Sequence, residues 1–372
     1  MAEVFIVEGA RTPFAVWSRG VRGDGRPGGA LRSLDPFDLG ATALRGALAR
    51  AELRPDALEG LIFGNVYHVG AHACYGARYV CHRAGVPPEV PSFSVALACG
   101  TGLQALIAAA SEIEAGRGRL VAAVGADSPS NVRRDVLVPS FVDVSCGRHI
   151  AQTAQDLARS HGFTREDLDA WALLSHERAL KARSAGLFVE EIVPAGGLQE
   201  DDAILARPDA AFFEASRLLF EDGTATPANT HAIVDGGSAL ILAGAGAAPR
   251  PIGRYLGGVV VGVEPRKMAT ASAAAVRELL KSRQMTLRDI DLFEINETFA
   301  SQVLIGKEEL GIPAEKLNVN GGALALGHPY GGTGCRLVLT LLKELRRRSL
   351  RRGIASICVA GGLGVAVAVE SA

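Results

Sequence analysis

The strongest constraint on the fold of this chain is a pattern of glycine-rich strand ends that occurs twice in the same order. Its first copy comprises LEGLIFGN (58–65), SVALACGTG (94–102) and VAAVGAD (121–127), and its second comprises IDLFEINE (290–297), VNGGALALGHPYGGTG (319–334) and SICVAGG (356–362). A repeated order with weak identity is typical of two similarly folded halves. We therefore predict two mostly parallel sheets covered by helices, with the functional residues where strand ends face each other.

The two copies are separated by a stretch of different character. Between residues 128 and 222 charged residues become frequent, and helical patterns such as Arg165–Ser184 alternate with loop signals. A chain of 372 residues is also long for a single core. We predict a first half formed by residues 1–127 and 223–245, an inserted loop domain over residues 128–222, and a second half over residues 246–372.

Local sequence signals predict the positions of several helices and strands. Asp35 before Pro36 predicts a capped helix that runs to Ala51. The apolar residues from Glu3 to Val7 predict a strand. The run that ends near Cys99 suits a buried strand, and residues 103–115 suit a buried helix.

Charge and cysteine usage exclude several classes of protein. A formal net charge of −1 gives no global electrostatic case for nucleic acid or an anionic membrane. The 6 cysteines contain no CxxC pair, which fits neither a disulfide framework nor a zinc site. No stretch is apolar for long enough to cross a bilayer. We expect no metal and no membrane insertion, and we expect a cytoplasmic location.

Cys99 is the first candidate for chemistry. It precedes a predicted helix, whose free backbone N–H groups and dipole favour a thiolate, so the sequence predicts a lowered pKa. A lone cysteine is more often a buried structural residue. His328 and Cys358, however, lie on equivalent strand ends of the second half. A cysteine with a histidine base is the pattern of nucleophilic catalysis.

The chain resembles the thiolase family over essentially its whole length. The resemblance rests on several motifs in order, namely VEGARTPF (7–14), ACGTGLQA (98–105), IDLFEINETFA (290–300), NVNGGALALGHPYGGTG (318–334) and CVAGGLGVAVAVE (358–370). It implies an α/β fold in which two similar halves form an α-β-α-β-α layered sandwich with an inserted loop domain. It also implies a homodimer or homotetramer.

The resemblance also implies roles for individual residues. Cys99 matches the nucleophile that carries the acyl group as a thioester, and His328 matches the base that activates it. Cys358 matches the second cysteine, which moves a proton at the α-carbon or on the leaving CoA thiol. Asn296 matches the residue that holds a water of the first oxyanion hole, while the backbone N–H groups of Cys99 and Gly361 match the second hole.

Contacts to coenzyme A follow from the same resemblance. His149 matches a histidine near the pantetheine, Ile150 stands where the family has Met, and Met268 matches an acyl-pocket residue. Arg207 lies where members hold the nucleotide end by charge. His231 replaces the usual Ser of an Asn-x-Ser segment and alters the pantetheine contact. CoA is expected as a substrate, with no tightly bound cofactor.

The expected activity is that of an acyltransferase of fatty acid metabolism. It is the CoA-dependent thiolytic cleavage of a 3-ketoacyl-CoA, or the reverse Claisen condensation of acyl-CoAs. Two alternatives stay open. A decarboxylating ketosynthase would share the fold but is expected to lack a second active cysteine such as Cys358. A CoA- or lipid-binding protein with little turnover would keep the fold alone.

Overall fold

The strands of both halves join into one mixed sheet. The structure is a computed structural model that describes residues 2–70, 72–247 and 250–372. Its strands are β1 (Val4–Arg11), β2 (Ala15–Val16), β3 (Gly60–Gly64), β4 (Ser92–Val95), β5 (Leu120–Asp127), β6 (Val142–Asp143), β7 (Arg148–His149), β8 (Val234–Gly244), β9 (Gly253–Gly262), β10 (Leu292–Ile295), β11 (Arg352–Val359) and β12 (Leu363–Ser371). The main sheet has the order β10-β11-β12-β9-β1-β8-β5-β3-β4, with β2 paired to β8, whereas β6 and β7 form a separate hairpin.

Helices cover both faces of this sheet and fill the space between the halves. They are α1 (Pro36–Arg50), α2 (Gly76–Ala84), α3 (Thr101–Glu114), α4 (Arg134–Leu137), α5 (Ile150–Ser160), α6 (Arg165–Ser184), α7 (Ala210–Glu214), α8 (Ala271–Ser282), α9 (Ala300–Leu310), α10 (Ala323–Leu326) and α11 (Thr333–Arg347). Helices α3 and α11 pack on each other and on strands of both halves, whereas α1 and α8 pack on the outer faces. The layers therefore alternate α-β-α-β-α.

The duplication is visible in the strand pairing. In the first half β3 pairs with β5 in parallel, β5 with β8 and β8 with β1 antiparallel. In the second half β10 and β11, β11 and β12, and β12 and β9 pair in the same three senses. In the second half, the place that β4 occupies in the first half is taken by a single parallel β-bridge between Phe293 and Leu317.

The expectation of mostly parallel sheets was wrong. Antiparallel pairings join β5, β8 and β1, and the equivalent pairings join β11, β12 and β9. One reason is local, because only Ala360, Gly361 and Gly362 connect β11 to β12. A link that short joins antiparallel neighbours, since a parallel pair needs a long crossover.

Two helices form where the sequence predicted them. The carboxylate of Asp35 accepts hydrogen bonds from the N–H groups of Phe37 and Asp38 at 2.9 Å each, and Pro36 opens α1. These contacts satisfy donors that have no partner inside the helix. Helix α6 spans the predicted residues 165–184 and begins at a capping box formed by Thr164 and Asp167.

The run before Cys99 differs from the expected buried strand. Strand β4 is the edge of the sheet, and Phe93 on it remains 44% exposed. An apolar run alone does not distinguish a central strand from an edge strand. The following helix α3 begins at Thr101, two residues earlier than the apolar pattern indicated.

The segment between the two copies lies over the second half. Its helices α5 and α6 pack on α9, and α6 also packs on α10. The domain boundaries given above stay a prediction. In the part of the chain that the structure describes, no helix is both long and apolar enough to cross a membrane.

Candidate active site

Cys99 lies on a tight bend between β4 and α3. The preceding Ala98 has a φ of +37°, a region that a residue with a Cβ seldom adopts. The bend is held by a hydrogen bond from the Leu97 N–H to the Thr101 hydroxyl at 2.7 Å. Strained backbone that is held in this way is typical of functional sites. The thiol of Cys99 is thereby fixed at the helix N-terminus with its residue 8% exposed.

Burial sets the protonation state of Cys99. Burial, with a further contribution from the neighbouring Cys358, raises the pKa of the Cys99 thiol to about 12, even though the N–H groups of Cys99 and Ala360 act to lower it. The lowered pKa predicted from the sequence was therefore wrong. The helix terminus contributes in the expected direction, but the loss of water around a charged sulfur outweighs it.

Close backbone contacts bring the second half against Cys99. A Cβ on Gly102 would lie 2.5 Å from the carbonyl oxygen of Gly331, so only glycine allows this approach. Asp127 holds the same loop, because its carboxylate accepts a hydrogen bond from the Gly331 N–H at 2.8 Å. The loop that carries His328 is therefore docked directly on the first half.

His328 is buried and uncharged. Its Nδ1 is 2.6 Å from the Thr333 hydroxyl, and its Nε2 has no hydrogen-bond partner among the described residues. Burial, with a further contribution from the neighbouring His231 and from Arg336, holds the pKa of His328 well below its usual value. A neutral imidazole with a free nitrogen can accept a proton.

Cys358 is the penultimate residue of strand β11 and lies beside residues of the Asn296 motif. The Thr298 hydroxyl lies 3.5 Å from the Cys358 sulfur and accepts a hydrogen bond from the Asn296 side-chain amide at 3.1 Å. Burial raises the pKa of Cys358 to about 11, although the contact with Thr298 lowers it. The Asn296 Oδ1 is buried and without a partner among the described residues. Thr298 therefore links two of the predicted site residues.

Gly361 is engaged by a residue that the sequence did not single out. Its φ of +87° lies in the region that favours glycine, and its N–H donates to the Asp143 carboxylate at 2.9 Å. Asp143 belongs to β6 in the inserted segment and is 6% exposed. In the structure the Gly361 N–H is therefore taken by a carboxylate.

Three of the predicted CoA-binding residues line one apolar cavity of about 150 Å³. They are His149, Ile150 and His231, and the cavity is completed by Phe141, Thr230, Ile233 and Phe299. His149 caps α5, because its Nδ1 accepts from the Ala151 N–H at 3.1 Å. Burial lowers the pKa of the His149 imidazole.

The other two residues lie apart from this cavity. Met268 is 1% exposed and packs in a cluster that includes Ile150 and Cys358, so it supports the wall from behind. Arg207 is exposed on a groove of about 510 Å³. Thr230 lines both the groove and the cavity, so the two spaces adjoin there.

His231 stands beside His328. The two ring centroids are 5.1 Å apart, and the His231 Nδ1 lies 2.9 Å from the Thr298 carbonyl oxygen, to which it donates. Burial lowers the pKa of His231 to about 4, and its Nε2 has no partner among the described residues. His231 is therefore a neutral acceptor next to the proposed base.

Sequence reasoning missed four residues of the site. Thr298 and Tyr330 lay inside motifs already singled out, and Asp127 lay at a strand end, so position alone could have indicated them. Tyr330 packs 4.9 Å from the His328 ring. Asp143 gave no signal, since its contact with Gly361 joins residues 218 positions apart.

Two buried cysteines and a neutral histidine, gathered from both halves of a duplicated α/β fold, define a class of enzymes that carry acyl groups on sulfur. Residues 4–246 match the thiolase N-terminal domain and residues 249–371 match the thiolase C-terminal domain. The chain belongs to the thiolase family.

Curated relatives and a solved structure match this chain over essentially its full length. The acetyl-CoA acetyltransferase of Cupriavidus necator is 34% identical over an alignment of 402 positions, which covers 100% of both chains. The human mitochondrial 3-ketoacyl-CoA thiolase is 34% identical and covers 99% of this chain and 98% of its own. The crystal structure of the human mitochondrial 3-ketoacyl-CoA thiolase in complex with CoA has a TM-score of 0.93 at 34% identity, with 100% of this chain and 98% of that chain covered.

These matches confirm the fold and the class of activity expected from the sequence. The chain is an acyltransferase that catalyses CoA-dependent thiolytic cleavage and Claisen condensation. Nothing in the matches favours a decarboxylating ketosynthase or a binding protein with little turnover.

Proposed function

We propose that this thiolase forms its acyl intermediate on Cys99 and uses His328 and Cys358 to move protons. The observation that carries the proposal is the burial of both thiols, with Cys358 close enough to Cys99 to raise the pKa of the Cys99 thiol. Both thiols are protonated at neutral pH, since their pKa values are about 12 and about 11. The reaction then begins from an uncharged pair of thiols.

In the cleavage direction the first step breaks a carbon–carbon bond. The neutral His328 takes the proton of Cys99 as its sulfur attacks the 3-keto carbon. The bond between C2 and C3 then breaks, the acyl group stays on Cys99, and the departing C2 takes a proton from Cys358. Acetyl-CoA leaves, and Cys358 remains as a thiolate.

The second step returns the enzyme to its resting state. The Cys358 thiolate takes the proton of an incoming CoA thiol, which attacks the acyl group on Cys99. Cys99 leaves as a thiolate and regains its proton from His328. The condensation runs through the same steps in reverse, with Cys358 removing the α-proton of the second acyl-CoA.

Negative charge develops on oxygen in both steps and needs fixed donors. We assign one site to His328 and a water held by Asn296, whose buried Oδ1 is free to accept from it. For the second site the sequence pointed to the N–H groups of Cys99 and Gly361, but the Gly361 N–H donates to Asp143. We assign the second site to the N–H groups of Cys99 and Ala360, which both contact the Cys99 sulfur. A preorganised donor of this kind is typically worth about 3 kcal/mol.

Coenzyme A is proposed to follow the two adjoining spaces. The pantetheine arm would occupy the cavity lined by His149, Ile150 and His231, with Met268 behind the acyl end. The nucleotide end would follow the groove that carries Arg207. The continuity of the two spaces at Thr230 supports this path.

Several further properties belong to the proposal. The proton transfers above need no resident cofactor, with CoA acting as a substrate. A homodimer or homotetramer is supported by the exposed edge strand β4, on which Phe93 is 44% exposed. A cytoplasmic location is supported by the cysteine usage noted above, because all 6 cysteines are free thiols.

Two measurements test the proposal: the rate of thiolysis of acetoacetyl-CoA by CoA, and the covalent labelling of the enzyme by radioactive acetyl-CoA. The Cys99→Ala variant should carry no label and show no turnover. Cys358→Ser should still accept the label on Cys99 but turn over at least about 100-fold more slowly. No thiolysis of acetoacetyl-CoA or of longer 3-ketoacyl-CoAs by the native protein would refute the proposal, as would a label retained on Cys99→Ala.

A further inference from the structure

Tyr330 places a buried hydroxyl group next to the base His328. The residue is 2% exposed, its ring centroid lies 4.9 Å from that of His328, and its hydroxyl has no hydrogen-bond partner among the described residues. A hydroxyl that leaves water without gaining a partner costs stability. A buried group of this kind calls for an explanation, which a hydrogen bond to the substrate would supply.

The backbone at Tyr330 is also unusual. Its φ of +35° lies in a region that a residue with a Cβ seldom adopts. The next residue is anchored on the first half, because the Gly331 N–H donates to the Asp127 carboxylate at 2.8 Å. Strained backbone that its surroundings hold in place is typical of functional sites. The Tyr330 ring is therefore fixed by the same loop that carries His328.

Tyr67 stands opposite Tyr330. The two ring centroids are 5.2 Å apart, with the rings inclined at 74°. The Tyr67 hydroxyl lies 2.7 Å from the Ser140 Oγ, and the Ser140 hydroxyl donates to the Leu137 carbonyl oxygen at 2.6 Å. Because the single proton of Ser140 goes to Leu137, Tyr67 is the donor to Ser140, and the Tyr67 oxygen is left able to accept.

Both phenols lie on one side of Cys99. Tyr330 and Cys99 belong to the same buried cluster, and Tyr67 and Phe141 pack against it. Burial, with further contributions from the nearby Tyr67 and Cys99, raises the pKa of the Tyr330 phenol well above its usual value, so its hydroxyl keeps its proton. Tyr67 and Phe141 are only half-buried, so the walls on this side of Cys99 reach solvent.

We propose that the acyl group carried by Cys99 bears a hydroxyl group, which the pair of Tyr330 and Tyr67 recognises. The substrate hydroxyl accepts from the Tyr330 O–H and donates to the Tyr67 oxygen, so it complements both free groups. A keto oxygen or a carboxylate would satisfy Tyr330 alone, and a methyl group would satisfy neither. The preferred substrates are then 3-ketoacyl-CoAs with a hydroxylated acyl part. The inference rests on the proposed function, because it extends the acyl group from Cys99.

Pairs of acyl-CoAs of equal size test this selection. Glycoloyl-CoA and propanoyl-CoA differ by a hydroxyl against a methyl group on the carbon next to the thioester, and 3-hydroxypropanoyl-CoA and butanoyl-CoA differ in the same way one carbon further out. The rate at which each acylates Cys99 is followed by mass spectrometry of the intact protein. The hydroxylated member of at least one pair should react about tenfold faster or more, because a site that bonds a hydroxyl discriminates against an analogue without it.

Three variants assign the preference to the tyrosine pair. Tyr330→Phe keeps the ring, removes only the hydroxyl and should abolish the preference, whereas Tyr67→Phe removes the acceptor and should weaken it. Tyr255→Phe is the matched control, because Tyr255 is another buried phenol of the same cluster but lies on β9. It should keep the native preference. The ratio within a pair, compared between variants, cancels any intrinsic difference in reactivity between the two thioesters.

Thermal unfolding supplies a measurement that needs no reaction. Tyr330→Phe removes a buried hydroxyl that has no partner, so its melting temperature should equal or exceed that of the native protein. Tyr67→Phe loses the hydrogen bond to Ser140 and should melt at a lower temperature. A fall for Tyr330→Phe as large as that for Tyr67→Phe would show that the Tyr330 hydroxyl is already bonded in the free enzyme, and would overturn the inference.

Binding separates this inference from the proposed function. In Cys99→Ala, calorimetry of the same acyl-CoA pairs reports recognition without acyl transfer. If the native protein shows no thiolysis, the proposed function fails, and tighter binding of a hydroxylated acyl-CoA that is lost on adding Tyr330→Phe would still support the recognition. Equal acylation rates and equal Kd values within both pairs would overturn the inference while thiolysis stands. An equal slowing of all four acyl-CoAs in Tyr330→Phe would place the hydroxyl at the thioester oxygen, and would overturn it too.

Discussion

The carboxylate of Asp127 and the backbone N–H of Gly331 form a 2.8 Å hydrogen bond across the two halves. The other oxygen of the same carboxylate accepts from the side-chain amide of Asn65 at 2.8 Å and from the Tyr67 N–H at 2.9 Å. Asp127 therefore joins the loop after β3 to the loop of Gly331. We expect it to affect the chemistry through the position of His328.

The Asp127→Asn variant tests this positioning. The substitution replaces one carboxylate oxygen with an NH₂ group, which cannot accept a hydrogen bond from an N–H group. At least one of the present hydrogen bonds is therefore lost, at a cost of about 1–3 kcal/mol. We expect kcat to fall by about 10- to 100-fold, with little change in the KM for CoA.

Asp235→Asn is the matched control, because Asp235 is also buried but bonds to Ser130. Its melting temperature should fall about as far as that of Asp127→Asn while kcat is kept. Equal losses of kcat in both variants would contradict a positioning role for Asp127.

The protonation of Cys99 predicts how its reactivity depends on pH. Because burial raises its pKa to about 12, the thiolate fraction should increase about tenfold for each pH unit between pH 6.5 and pH 9. The rate of alkylation of Cys99 by iodoacetamide, measured by peptide mass spectrometry, should follow with a logarithmic slope near 1. A plateau below pH 8 would indicate an activated thiolate instead.

His231 predicts a limit on substrate size. Its ring fills part of the wall of the 150 Å³ cavity beside Phe299. The His231→Ser variant should enlarge the cavity and raise kcat/KM for longer 3-ketoacyl-CoAs relative to acetoacetyl-CoA by about tenfold, the scale that a few methylene groups allow.

His231→Asn is the control for that prediction, since it keeps a side chain that can donate to the Thr298 carbonyl oxygen while removing the ring. An unaltered chain-length profile in both variants would mean that the ring does not face the acyl or pantetheine path.

The Gly102→Ala variant tests the contact between the two halves. Its Cβ would lie 2.5 Å from the Gly331 oxygen and 2.6 Å from the Gly334 nitrogen, which are backbone atoms without room to move. Forcing the helices apart should cost about 1–3 kcal/mol of stability and at least about tenfold in kcat.

Gly306→Ala is the matched control for Gly102→Ala. Gly306 is also a buried helical glycine, but a Cβ there would meet only the Ser272 hydroxyl at 3.5 Å. Thermal unfolding and turnover should be close to native. Native behaviour of Gly102→Ala would show that the halves tolerate separation.

The sequence predicted those elements whose signals are local. Asp35 and Pro36 specified the start of α1 by capping chemistry, and residues 165–184 specified α6 by periodicity. Cys99, Asn296 and Cys358 lie close to the ends of β4, β10 and β11, as the ordered motifs predicted, whereas His328 follows the short helix α10 and the strand end predicted for it was wrong. The catalytic roles of these residues stay predictions.

The features that were missed depend on the folded environment. The direction of the Cys99 pKa shift depends on how completely the second half excludes water, and no local pattern encodes that. The exposure of Phe93 depends on the position of β4 as the edge strand of the sheet among the described residues. The contact between Asp143 and Gly361 joins two segments whose local sequences give no sign of each other.

The pairing of β1 with β9 has a consequence for how substrate reaches the site. Val4, Phe5 and Ile6 of β1 pair with Tyr255, Arg254 and Gly253 of β9, so a continuous sheet joins the two halves. A rotation of one half against the other would have to break this pairing. We therefore expect a ligand to be admitted by movement of surface loops and not by separation of the halves.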